Sequence, residues 1–330
     1  MDLSLSAHPQ LWEGAVSWTS DGQWWEPWRL HPEDELLAYA PPLFERARLA
    51  TGVRLRLRTD AGALRVELDF APDAQGCADL VVDGMLTQRI PVQPGISEVQ
   101  IALSGGLADV EFWLPHTGRV RVGRVTAERA TIAVPMQNAR PRWVAYGSSI
   151  TQCSESDGPA ETWPALVARE LGLDLTCLGF GAECHLDPII PATIAGRQPD
   201  LISLCLGINV YGQSSFGPRA WRGQVAGFVR SVRVANPDAD IVLISPIVSP
   251  TRESAQNKVG MTLAEIRCDV ETVTGHLRAA DSRLFGIHGL DLLGLDEGDM
   301  LIDGVHPGQD GYRRMAARIA PVLAGILGQS

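Results

Sequence analysis

Residues 142–153 read RWVAYGSSITQC. Trp143-Val144-Ala145-Tyr146 is an unbroken apolar run, too short for a helix and lacking the alternation of a half-buried strand. Such a run reads as a strand covered on both faces. It ends at Gly147-Ser148-Ser149, where the pattern breaks. These small residues either form a plain turn or hold a hydroxyl at the edge of a sheet.

The same grammar continues downstream. RWVAYG (142–147) precedes TWPALVARELG (162–172), LDLTCLGF (173–180) precedes PIIPATIAGRQ (188–198), and DLISLCLG (200–207) precedes RAWRGQVAGFVRSVRVANP (219–237). ADIVLISPIV (239–248) precedes TLAEIRCDVETVTGHLRAAD (262–281), and RLFGIH (283–288) leads to a last helix in GYRRMAARIAPVLAGIL (311–327). Apolar strands alternating with helices make βαβ units and a parallel sheet. Five strands suit a flavodoxin-like three-layer α/β/α domain over residues 142–330.

Upstream the period is two. Short Val- and Leu-rich runs at 53–60, 64–70, 78–84, 97–104, 108–115 and 117–127 are separated by Gly, Pro, Asp or Ser clusters. Repeated short strands with turn signals imply an all-β sandwich or jelly roll over residues 1–135. AVPMQNARPR (133–142) reads as the linker. Trp12, Trp18, Trp24, Trp25 and Trp28 crowd the start of the chain. They read either as a sugar-stacking surface or as a buried cluster.

The chain has 330 residues and a formal net charge of −11. An acidic balance argues against nucleic acid or an anionic membrane as partner. The first residues show no basic segment followed by an apolar one, and no apolar run is long enough to span a bilayer, so neither a signal peptide nor a membrane helix is read. Six cysteines form no CxxC pair, and Cys177 and Cys205 sit inside apolar runs as reduced, buried thiols would. A reducing, cytoplasmic location is expected. Seven histidines show neither HxxxH nor HExxH spacing, so no metal and no cofactor is expected.

Open α/β sheets bind ligands beyond the carboxyl ends of their strands. There the chain offers Ser149 after the first strand, bare backbone in GFGAECHLD after the second, Asn209 after the third, and Asp303 with His306 before the last helix. A serine hydroxyl needs a base, a histidine titrates near neutrality, and a carboxylate fixes the far ring nitrogen. Asp303 and His306, three residues apart, can face one another, leaving His306 to reach Ser149. The GxSxG elbow of α/β-hydrolases is absent.

These stretches resemble the conserved blocks of the SGNH/GDSL hydrolase superfamily. GSSIT (147–151) is similar to the first block, with Ser149 in the place of the nucleophile and Ser148 where an Asp is usual. LGFGAECHLDP (178–188) is similar to the second. Its oxyanion glycine falls at Ala182, where a backbone N–H is kept but the methyl narrows the pocket. LGIN (206–209) makes Asn209 the side-chain oxyanion donor, and DGVHP (303–307) supplies Asp303 and His306. The preceding sandwich resembles a bacterial branch with an N-terminal jelly roll, which includes carbohydrate-type esterases and a polyketide-tailoring acyltransferase.

The resemblance implies a serine esterase acting on small acyl esters through Ser149, His306 and Asp303. Ser149, Ala182 and Asn209 would form the oxyanion hole. Apart from the resemblance, Gly181 and Tyr211 are expected to line the pocket, and His185 to take a structural or pocket-wall role. The expected partner is a small-molecule ester, a glycosylated alcohol being one form of it. Two alternatives stand beside this reading: an acyltransferase moving the acyl group to a sugar or polyketide-type alcohol, and a non-catalytic carbohydrate-binding protein. Loops 210–219 and 248–261 are expected to line the substrate as lids. Arg219, Arg222 or Arg252 could meet a substrate carboxylate or phosphate, though ordinary surface positions are the simpler reading. Cys184 beside His185 is rejected as a nucleophile, since adjacent residues rarely face one another.

Overall fold

The computed structural model describes residues 1–72, 75–136 and 140–328. Part of the expected linker, 137–139, lies outside the described residues. The chain divides into two compact units. One comprises Met1–Pro32, Ala47–Arg140 and Gly158–Ala160; the other comprises Glu33–Arg46, Pro141–Asp157 and Glu161–Ser330. The second unit therefore includes a short segment from far upstream. No helix among the described residues is long and apolar enough to cross a membrane.

The first unit is a β-sandwich of two antiparallel sheets. One orders the strands Trp12–Glu13, Arg54–Thr59, Ala108–Trp113, Gly76–Val82 and Met85–Val92, with Ala133–Val134 also paired to Arg54–Thr59. The other orders Ser17–Ser20, Trp25–Trp28, Val120–Glu128, Ala63–Phe70 and Gly95–Ala102. Leu55, Leu57, Val66, Leu68, Leu80, Val110, Phe112 and Val122 fill one core, as the period-two pattern requires. Five strands were not read from the sequence, two of them the two-residue pieces Trp12–Glu13 and Ala133–Val134. Met85–Val92 is an edge strand with few buried side chains and a proline, so it lacks an apolar face to recognise. Ser17–Ser20 and Trp25–Trp28 form a hairpin in which tryptophan obscured the alternation. Trp12, Trp24 and Trp28 are buried, which favours the buried-cluster reading for them.

The second unit holds the parallel sheet. Its strands are β1 (Arg142–Gly147), β2 (Asp174–Gly179), β3 (Leu201–Cys205), β4 (Asp240–Ile244) and β5 (Leu284–Ile287), in the order 2-1-3-4-5. This is the flavodoxin-like arrangement, whose switch point lies between β1 and β3. Helices Trp163–Leu171 and Gln309–Leu327 pack together, while Ile190–Gly196, Pro218–Ala235 and Leu263–Arg278 form a second group. Trp143, Trp163, Val167, Tyr312, Ile319 and Leu323 share one buried cluster. Thr162 caps its helix by accepting from the Ala165 N–H, and Thr262 with Glu265 forms a reciprocal capping box.

The ends of β1 and β2 are level, with Gly147 opposite Gly179. A short helix, Ser149–Gln152, lies directly against them. A Cβ on Gly147 would stand 2.2 Å from Thr151 Oγ1, and one on Gly179 2.3 Å from the Gln152 nitrogen. The glycines are thus there for close approach rather than for a turn. Gly179→Ala must push backbone against backbone, so it is expected to destabilise the protein by about 3 kcal/mol. Chemical denaturation checks this, and an unchanged midpoint would contradict the packing argument.

Candidate active site

Ser148 caps the helical turn after β1, its hydroxyl accepting from the Ile150 N–H at 3.2 Å. Ser149 is consequently the first residue of that turn, where a backbone N–H has no intrahelical acceptor. Its hydroxyl donates to His306 Nε2 at 2.8 Å. On the other side of the ring, His306 Nδ1 donates to Asp303 Oδ2 at 2.7 Å. An ionised carboxylate only accepts, so this contact fixes the proton on Nδ1 and leaves Nε2 as acceptor.

The turn that carries these two residues is held at several points. Asp303 Oδ1 accepts from the Val305 and His306 N–H groups at 2.9 and 2.8 Å. Gly304 takes φ +79°, a left-handed value that glycine adopts without strain. The Ser249 hydroxyl donates to the Gly304 carbonyl at 2.6 Å. Partial burial would raise the Asp303 pKa, but the backbone and ring hydrogen bonds of His306 and the Val305 N–H outweigh it and hold the carboxyl at about 2.

The chain after β2 makes a tight turn, the Glu183 N–H donating to the Phe180 carbonyl at 3.0 Å. Ala182 sits in it at φ +66°, a conformation in which an L side chain is strained. Side chains grip the turn on both sides. Gln152 Oε1 accepts from the Gly181 N–H at 2.8 Å, and the Ala182 carbonyl accepts from His185 Nε2 at 2.9 Å and from Gln213 Nε2. Asn209 lies in the helix Ile208–Gln213 that follows β3. Its Oδ1 accepts from the Cys184 N–H at 3.1 Å, which leaves the Nδ2 amide group as its donor end.

Ser149, Ala182, Asn209, Asp303 and His306 all line one cleft of about 530 Å³. Gly181 lines it as expected, whereas His185 and Tyr211 are not among its lining residues. His185 is turned to Ala182 and to the Ser215 hydroxyl, and Tyr211 is buried with its hydroxyl on the Ala255 carbonyl. Cys184 is also buried, and desolvation pushes its thiol well up, away from thiolate chemistry. Arg222 pairs with Asp269 and Arg219 is exposed, but Arg252 does line the cleft. The segments read as lids are tied to each other: Tyr211 donates to Ala255, and Asn257 donates to the Tyr211 carbonyl at 3.1 Å. Arg46, Gln152 and Ser249 escaped the sequence reading. Gln152 lies within the quoted motif, one helical turn from Ser149, and could have been found there. Arg46 carries no local signal.

Residues 145–314 match the sequence profile of the GDSL-like lipase/acylhydrolase family, just over half of the chain. The chain belongs to this family. Residues 11–122 also match the profile of the SsfX3 N-terminal domain. Among solved structures, the chain is similar to the salicylyl-acyltransferase SsfX3 from a tetracycline biosynthetic pathway, with 30% identity, a TM-score of 0.87, and 96% of this chain and 94% of that one covered. It also resembles a family two carbohydrate esterase from Clostridium thermocellum in complex with cellohexaose (18% identity, TM-score 0.67, 84% of this chain and 93% of that one). A family two carbohydrate esterase from Cellvibrio japonicus is similar at 17% identity and TM-score 0.62, over 84% of this chain and 90% of that one. At those identities the two esterases speak for the fold alone. No curated protein matches the sequence. The protein is an SGNH-type ester hydrolase or acyltransferase.

Two outcomes are expected from this geometry. The Asp303 pKa lies below the ordinary 3.8, so its contribution to stability is complete above that value and is lost as pH falls to about 2. Carbon NMR of the carboxyl should give a midpoint of about 2; a midpoint at or above 3.8 would contradict the assigned hydrogen bonds. Ala182→Gly relieves a left-handed alanine at the cost of a more flexible unfolded chain, and should raise stability by up to about 1 kcal/mol. A lower melting temperature would count against the strain.

Proposed function

We propose that the protein is a serine esterase that works through an acyl-enzyme on esters with small acyl groups. The observation that carries this reading is the continuous relay from the Ser149 hydroxyl through the His306 ring to Asp303. In the first half-reaction Ser149 Oγ attacks the ester carbonyl while its proton passes to His306 Nε2. The tetrahedral oxyanion takes hydrogen bonds from the Ser149 and Ala182 N–H groups and from Asn209 Nδ2, preorganised donors that act where charge develops. The ester bond then breaks, and His306 gives the proton to the departing alkoxide. In the second half-reaction water attacks the acyl carbonyl, loses a proton to His306, and the tetrahedral adduct collapses to release the acid and restore Ser149. Asp303 keeps the ring in the correct tautomer throughout and stabilises the imidazolium.

The cleft lining favours polar substrates. Gln152, Ser154, Glu155, Gln213 and two arginines contribute to it, while Ile208 and Val305 are its larger apolar members. Such a wall offers little to a long acyl chain, and the Ala182 methyl takes further room. A second reading is transfer of the acyl group to an alcohol in place of water. The match of both the N-terminal and the family domains to an acyltransferase supports it.

Ser149→Ala should lower turnover of p-nitrophenyl acetate by about 10³-fold or more with the fold retained, as measured by initial rates and circular dichroism. Wild type should prefer acetate and butyrate to octanoate. A variant as active as wild type would remove Ser149 from the chemistry. Added alcohols separate the two readings: ester product formed faster than acid marks a transferase, and acid alone marks a hydrolase.

A further inference from the structure

Arg252 stands out from the other arginines of the second unit. The chain is acidic, with a net charge of −11, and three buried or half-buried arginines of this unit are engaged with carboxylates. Arg233 pairs with Asp281, Arg267 with Glu253 and Arg318 with Glu297. Arg252 lines the catalytic cleft, yet its guanidinium has no carboxylate partner among the described residues. Its one side-chain hydrogen bond is from Nη1 to the neutral Ser249 hydroxyl, at 3.1 Å. The adjacent Glu253 makes no hydrogen bond to it; that carboxylate is engaged by Arg267 at 2.7 and 2.8 Å and by the Ser249 N–H. The remaining cleft carboxylates have partners of their own: Asp303 holds His306, and Glu155 accepts from the Tyr312 hydroxyl.

The position of Arg252 is also built. Its N–H donates to the Ser249 carbonyl at 2.8 Å, and its carbonyl accepts from the Leu263 N–H at 3.0 Å. The Ser249 N–H in turn donates to Glu253. With backbone and Nη1 anchored, the rest of the planar fork is left to a ligand. A partly desolvated cation facing a cleft without a counter-ion is costly until an anion arrives, and a guanidinium fork matches two oxygens of one oxyanion. Arg46 adds a second positive charge to the same wall.

We infer that Arg252 is a specificity-determining residue that binds an oxyanion, a carboxylate or phosphate group, carried by the substrate away from the scissile ester. This rests on the serine mechanism proposed above and names its substrate class.

The test compares acid-bearing esters with uncharged partners. One acid carries its carboxylate on the acyl side (p-nitrophenyl hydrogen succinate), one on the alcohol side (4-acetoxybenzoate), and a third ester carries a phosphate (4-acetoxyphenyl phosphate). The partners are the methyl esters of the two carboxylic acids and the dimethyl ester of the phosphate, all uncharged. Wild type should favour at least one charged ester over its partner by about 10-fold or more in kcat/KM, chiefly through KM. Arg252→Gln keeps a donor for Ser249 but removes the charge, and should reduce that preference by about 10- to 100-fold, the worth of a charge-assisted pair. Arg252→Ala should do the same, with melting temperature reporting the fold of both variants. The inference is overturned if wild type prefers none of the three anions, or if the preference survives in both variants. Ser149→Ala, assayed on the same esters, keeps the two ideas apart: activity that persists there sinks the serine mechanism, whereas a serine-dependent enzyme indifferent to charge sinks only the role of Arg252.

Discussion

The site depends on a backbone approach that only glycine permits. The Ser149–Gln152 turn rests on the ends of β1 and β2, where Gly147 and Gly179 leave no Cβ between strand and helix. That contact fixes the height of Ser149 above the sheet and brings Gln152 within reach of the Gly181 N–H. The serine and the turn after β2 are therefore set by one packing decision. The position of Ser149 is inherited from the packed core of Trp143, Trp163 and Tyr312 rather than from a free loop.

Within that frame the polar groups divide the work by burial. The Asp303–His306 turn is only partly enclosed, with Asp303 side chain about half exposed at 51% and His306 at 25%. An exposed ion pair is worth little to stability. What orders this one is the set of backbone hydrogen bonds that Asp303 accepts, together with the left-handed Gly304 and the Ser249 bond to its carbonyl. The geometry is thus specified by short-range chain conformation, and the charge needs no burial to be held.

This explains which parts were legible in the sequence. The βαβ alternation was readable because each strand of the parallel sheet is apolar throughout and each helix is punctuated by caps. Asp303 and His306 were readable because their relation is local, three residues along one turn. The placement of Ser149 and Asn209 on one cleft was readable because both follow strands of the parallel sheet at its carboxyl edge. The sandwich was read less completely: edge strands such as Met85–Val92 bury too little to leave a pattern, and the Trp-rich hairpin Ser17–Trp28 does not alternate plainly. Long-range assembly was not legible at all. Arg46 reaches the cleft from a segment that groups with the second unit across a large gap in the chain, and nothing around it in the sequence marks that destination. Of the two roles open to His185 the structure shows the structural one: its ring is turned back onto the Ala182 carbonyl and braces the turn, and it is not among the residues lining the cleft.

Ser249 ties the remaining threads together. Its hydroxyl donates its one proton to the Gly304 carbonyl and accepts from Arg252, so a single oxygen joins the wall of the cleft to the turn that carries Asp303 and His306. Hydrogen bonds in such a chain polarise one another, the acceptor role strengthening the donor role. An anion drawn to Arg252 would pull on the same bond that seats the Asp303–His306 turn. In the proposed reading, recognition of the substrate's charge and alignment of the relay are then consecutive links of one short network, which runs from the fourth strand's loop to the start of the last helix.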